Sequence, residues 1–146
     1  MRKVVVLFMA LGLAIGSFAQ VRKIPAAVTE AFSKKYPKAQ EVEYKDNLIN
    51  VQVHFLLDSV RMTAKFNSDG EWKETEKESN YDAVPADVKD GFQKSKYENM
   101  QVNGVYEVQE MGKPLQYRIF VQKSGLQKKQ VYFDANGKLL KDNMVL

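Results

Sequence analysis

The chain has 146 residues, with 22 lysines and arginines, 18 aspartates and glutamates, one histidine and no cysteine. Without cysteine it has no disulfide staple, no thiolate nucleophile, no thiolate metal site and no lipid-modified cysteine to tether it. The near balance of charge gives no basic footprint for nucleic acid.

Arg2 and Lys3 lead into an apolar run at residues 4–15, which ends in the small residues Gly16, Ser17 and Ala19. This is the pattern of a secretory signal peptide over residues 1–19, with a mature start at Gln20. The run is shorter than the roughly 20 residues of a spanning helix. No later stretch is apolar enough to cross a bilayer, so a periplasmic or secreted protein without a transmembrane segment after cleavage is expected. Cleavage of 19 of the 146 residues leaves 127, the size of one compact domain.

Two related phrases then organise the chain. Ile24-Pro25-Ala26-Ala27-Val28, reaching Phe32, opens the first, and Val84-Pro85-Ala86-Asp87-Val88, reaching Phe92, opens the second. Proline suits the first turn of a helix, where its missing N–H has no partner. Ile24, Val28, Ala31 and Phe32 fall on one helical face, as do Val84, Val88, Gly91 and Phe92.

After Pro37 the period changes to two. Val42 and Tyr44 alternate with charged residues, and Asp46-Asn47 supplies a turn. Ile49, Val51, Val53, Phe55 and Leu57 mark the buried side of a second strand, and Asp58-Ser59 the next turn. Val60, Met62, Ala64 and Phe66 mark a third strand, Asp69-Gly70 a hairpin turn, and Trp72 the start of a fourth. The second unit repeats the order. Residues 102–111 form its first strand, with a bulge or bend at Gly104; Tyr117, Ile119 and Val121 mark its second, and Val131 and Phe133 its third. Asn136-Gly137 turns into the last. Seven extra residues in this unit are expected in hairpin loops near Met111-Gly112-Lys113-Pro114 and Ser124-Gly125.

The predicted fold class is therefore α+β, a tandem repeat of a helix plus a four-stranded antiparallel meander. Residues 20–82 form the first repeat and 83–146 the second. Sharing one edge hides two exposed strands, which predicts one eight-stranded antiparallel sheet with both helices on one face.

The stretch from Ile24 to Ala39, with Phe66-Asn67-Ser68-Asp69-Gly70-Glu71-Trp72, resembles the PepSY-like, β-lactamase-inhibitor-protein-like family of exported proteins found among relatives of Bacteroides. The second unit departs from that pattern with Tyr97-Glu98 in place of Tyr36-Pro37, and with Leu139 in place of Trp72. The resemblance implies a tandem helix-plus-four-strand fold whose sheet presents a protein-binding face. It names no partner.

Nothing in the sequence assembles a catalytic site. His54, the only histidine, has no nucleophile or ligand set spaced around it. Asp134-Ala135-Asn136-Gly137 resembles the start of a calcium loop but meets Val145 where the last acidic ligand belongs, so a turn is expected and no metal or cofactor. The outward side of the sheet carries more information. Arg118, Phe120 and Tyr132 point away from the helices in the second unit, a composition enriched at binding hot spots. Arg61 and His54 lie on the corresponding side of the first. The alternative is a cross-strand stack of Phe120 on Tyr132 with no partner.

The expected function is thus a non-enzymatic, monomeric binding module for a protein or peptide, inhibition of an exported peptidase or β-lactamase being its sharper form. The alternative is a small-ligand or envelope-associated structural module with a cavity between helices and sheet. Its cue is the aromatic set Phe32, Tyr44, Phe55, Phe66, Trp72 and Phe92.

Overall fold

Proline sets the start of both helices. The computed structural model describes residues 23–145 apart from Ser124 and Leu126, so the signal-peptide reading of residues 1–19 lies outside the described residues, as does Ser124 of the predicted loop. Helix α1, Ala26–Lys35, follows Pro25, whose carbonyl accepts from the Val28 and Thr29 amides. Lys34 and Lys35 sit in its last turn, where a cation meets the negative end of the helix dipole. Helix α2, Ala86–Gln93, follows Pro85 and carries Asp87 in its first turn, the complementary arrangement.

The strands are β1 Gln40–Asp46, β2 Val51–Leu57, β3 Val60–Phe66, β4 Trp72–Ser79, β5 Gln101–Glu110, β6 Gln116–Gln122, β7 Lys128–Asp134 and β8 Leu139–Val145. They form one antiparallel sheet in the order of the chain. A 3₁₀ turn, Tyr81–Ala83, and α2 carry the chain from β4 to β5, which pair directly from Glu74↔Glu110 to Ser79↔Val105. The predicted eight-stranded sheet is the observed one.

Each helix covers its own strands. Val28 and Phe32 of α1 pack with Val51, Val53, Phe55, Ala64 and Phe66. Val88 and Phe92 of α2 pack with Val105, Ile119, Val121, Val131 and Phe133. The residues under α1 and those under α2 fall on one side of the continuous register, so both helices lie on the same face.

The matching glycines at the close of each repeat have a shared physical reason. A Cβ on Gly70 would lie 2.6 Å from the Ala27 carbonyl oxygen, and one on Gly137 would lie 2.0 Å from that of Asp87. Ala27 and Asp87 each stand two residues after the helix-opening proline. The last hairpin turn of each repeat thus seats its backbone on the first turn of its own helix, at φ of +89° and +80°. In α2 the approach is closer still, with a Gly91 Cβ placed 1.9 Å from the Gly137 oxygen. Gly137→Ala is therefore expected to be strongly destabilising. Gly112→Ala, with φ +71° and nothing within 4 Å, should lose only the about 1–2 kcal/mol of a left-handed residue. Paired thermal melts check this, and equal losses would contradict the seating of turn on helix.

Three local expectations need correction. Ile49 is not an inward strand residue: the β1–β2 turn takes residues 47–50, Leu48 adopts φ +69°, and Leu48 and Ile49 are 76% and 86% exposed. Apolar alternation ran past the end of the strand because Asp46 Oδ1 accepts from the Leu48 amide and fixes the turn there. Val42 keeps the side of Tyr44 and lines a cleft with Phe32 and Tyr36, but on the edge strand β1, beside the bulge between Gln40 and Glu43, it is left 39% exposed rather than buried. The added length of the second repeat is not confined to hairpins, since β5 has 10 residues where β1 has 7.

Candidate functional site: the open face of the sheet

The side of the sheet turned away from the helices is built by alternation. Val105 packs under α2, so Tyr106 and Val108 face the other way, and the register sets Gln116, Arg118, Phe120 and Tyr132 beside them. Four of these are buried although no helix covers them. Val108 is 1% exposed, Tyr132 7% and Arg118 8%, with Gln116 alongside.

Arg118 explains the burial. Its Nη1 and Nη2 donate to the two carboxylate oxygens of Glu76 at 2.7 and 2.6 Å, reaching from β6 across β5 to β4. This fork matches carboxylate geometry and is the strong form of ion pair. The guanidinium also lies 4.8 Å from the Tyr106 ring centre and 5.1 Å from that of Phe120, and those two rings meet edge to face at 5.5 Å. Lys65 on β3 donates to Glu76 at 3.1 Å and also bonds Glu74. Lys141 on β8 lies 4.2 Å over the Tyr132 ring, whose hydroxyl donates to Gln130. One connected layer of charge and aromatic rings thus runs from β3 to β8 and locks the first repeat to the second.

The electrostatics follow from this arrangement. Burial alone would raise the Glu76 carboxyl, but the hydrogen bonds and charge of Arg118, then Lys65, outweigh it and hold the group at about 2. Burial likewise works against the Lys65 ammonium, and the bonds and charges of Glu74 and Glu76 outweigh it and raise the group.

Phe120 shares the open face with Arg118 and Tyr132, but the three do not form an exposed cluster. Arg118 and Tyr132 are buried because Glu76, Tyr106 and Lys141 close over them, partners that lie on other strands. Phe120 faces Gln130 across the strands and packs on Tyr106, so the Phe120–Tyr132 stack is absent. Being half-buried, Phe120 also carries more of the structure than a free surface ring would. In the first repeat His54 shares a 2.9 Å hydrogen bond between Nδ1 and Thr63 Oγ1, and Arg61 is exposed, 3.8 Å from Glu78. Tyr106 and Val108 complete this face, and nothing in the sequence beyond strand alternation marks either of them.

On the helix side, Phe32, Tyr44, Phe55 and Phe66 fill the first core and Phe92 the second. Trp72 packs against the first core as well and lines a cavity of about 220 Å³ at the seam between the repeats, with Tyr36, Met62 and Leu115. Among the described residues no group of three or more potential metal ligands occurs, and no helix is long and apolar enough to cross a membrane.

Solved structures share this architecture. A DUF2874 family protein from Bacteroides uniformis aligns with 26% identity and a TM-score of 0.76, covering 83% of this chain and 89% of its own. A Bacteroides eggerthii protein provisionally described as periplasmic aligns with 25% identity and a TM-score of 0.77, covering 85% and 91%. A BLIP-like protein from Bacteroides fragilis has the same fold at 24% identity and a TM-score of 0.77, covering 86% and 89%. A search of curated proteins found no match. The sequence profile of the PepSY-like family, provisionally described as beta-lactamase-inhibitor-like, matches residues 17–59 and 50–141. With most of its length matched in this way, the chain belongs to the PepSY-like family.

Proposed function

We propose that this is an exported, non-enzymatic module that binds a protein or peptide through the open sheet face. The observation that carries the reading is the bonded layer around Glu76 and Arg118, which holds polar and aromatic groups fixed on a face with no helix over it. Groups already fixed lose little entropy on association, so such a face is prepared for a partner. Tyr106 and Phe120, half-buried rings of a kind enriched at interfaces, lie at its accessible centre. The inhibitor-like description of the family supports the sharper form, restraint of an exported enzyme such as a peptidase or β-lactamase. The description of one structural relative as periplasmic supports export, and we take residues 20–82 and 83–146 as the two repeats.

The test must spare the buried pair. Arg61 and Phe120 are reachable on the open face, while Glu30 and Lys34 are exposed on α1. Capture from an envelope extract is compared for wild type, for Arg61→Glu with Phe120→Ala, and for Glu30→Lys with Lys34→Glu. The open-face variant is expected to lose its partner by at least about tenfold, a loss of about 1.4 kcal/mol, while the α1 variant retains it. Loss with the α1 variant alone would overturn the assignment.

A further inference from the structure

Beside Phe120 the open face is not filled. A cavity of about 340 Å³ opens there, lined by Asn103, Gly104, Tyr106, Phe120, Gln122 and Lys128 among others, a volume at the lower end of small-ligand sites, which run from about 300 to 1,000 Å³. Its floor is Gly104. The φ of this glycine lies outside the left-handed region, and an added Cβ would meet only Tyr106 at 3.5 and 4.0 Å and Phe120 at 4.0 Å, ordinary contacts. Gly104 sits at the bulge between Val102 and Gly104, and unlike Gly70, Gly91 and Gly137 it has no backbone packed against it. Its missing side chain leaves the edge-to-face pair of Tyr106 and Phe120 open to the groove.

The polar groups around the groove define what fits. Asn103 Nδ2 donates to Gln122 Oε1 at 2.7 Å. That bond leaves Asn103 Oδ1 as an acceptor and Gln122 Nε2 as a donor, the two groups that a peptide unit's N–H and C=O require. Lys128 is exposed and has no carboxylate partner among the described residues. Aromatic walls, a donor–acceptor pair and a lysine with no carboxylate partner among the described residues lie together within one groove.

We infer that this groove receives the C-terminal aromatic residue of a partner peptide or protein. The ring sits against Tyr106 and Phe120, the last peptide group meets Asn103 and Gln122, and the terminal carboxylate meets Lys128. The inference rests on the open-face reading and specifies what that face grips. The probes are N-acetyl-phenylalanine, its C-terminal amide and N-acetyl-alanine, each titrated against the ¹⁵N-labelled protein by NMR. N-acetyl-phenylalanine is expected to shift the Gly104, Tyr106, Phe120 and Lys128 amide signals saturably, and N-acetyl-alanine to leave them unchanged. The amide form should bind about threefold more weakly, as one exposed ion pair supplies, and Lys128→Gln should abolish that difference. Gly104→Val, which fills the groove, should lose the response while the rest of its spectrum stays in place; if that variant does not fold, Lys128→Gln carries the test. No saturable shift in wild type, or an equal one in folded Gly104→Val, would overturn the groove. Equal affinity for acid and amide would overturn the terminal-carboxylate assignment. Partner capture that fails in the Arg61→Glu, Phe120→Ala protein but survives in Gly104→Val would remove the groove and leave the open-face reading standing.

Discussion

Replacing Phe32 with alanine is expected to cost about 3–5 kcal/mol, as large-to-small changes in a packed core do. Phe32 is fully enclosed, and its ring meets those of Tyr36, Tyr44, Phe55 and Phe66 at 5.5, 5.8, 5.0 and 6.3 Å. No single neighbour can move to fill the space. A domain of this size holds only about 5–15 kcal/mol in all, so the melting temperature should fall sharply. Phe92→Ala should fall comparably in the second core, where the ring packs on Tyr81 and Phe133. Phe120→Ala is expected to cost less than either, but more than a free surface change, because it removes an aromatic pair worth about 0.5–1.5 kcal/mol beyond its buried area. Thermal denaturation of the three variants orders them. A Phe120→Ala melt as low as that of Phe32→Ala would contradict the assignment of inner and open faces.

Arg118→Ala should be the second large loss, about 3 kcal/mol, because it strands the Glu76 carboxylate in a site of 12% side-chain exposure with Lys65 as its remaining cation. Replacing both partners by apolar residues of similar size is expected to be milder than losing either one. The pair also fixes the acid limb of stability. Because the folded carboxyl is depressed from 4.5 to about 2, its contribution is complete above the unfolded value and is lost as pH falls through that window. Melting temperature should therefore decline from pH 4.5 toward pH 2 more steeply in wild type than in Glu76→Gln. Identical slopes in that window would show that Glu76 is not the linked group.

The helices and their faces were legible because local spacing alone defines them: a proline, then valine and phenylalanine at fixed offsets. The turns were legible where chemistry demanded them, as at Asp69-Gly70 and Asn136-Gly137. The open-face layer was not, because Arg118 and Glu76 are 42 residues apart and meet only through the β4–β5 register. No periodicity within either repeat encodes that register. Val108 illustrates the same limit. Val102, Val105 and Val108 recur at intervals of three, and the bulge between Val102 and Gly104 lets the first two face the helices while the third faces the open side.

The open face as the docking surface is tested most directly by hydroxyl-radical footprinting of the captured complex against the free protein. Protection is expected at His54, Arg61, Tyr106 and Phe120, with labelling of Glu30 and Lys34 on α1 unchanged. Protection along α1 and α2, with the open-face side chains still fully labelled, would contradict the account.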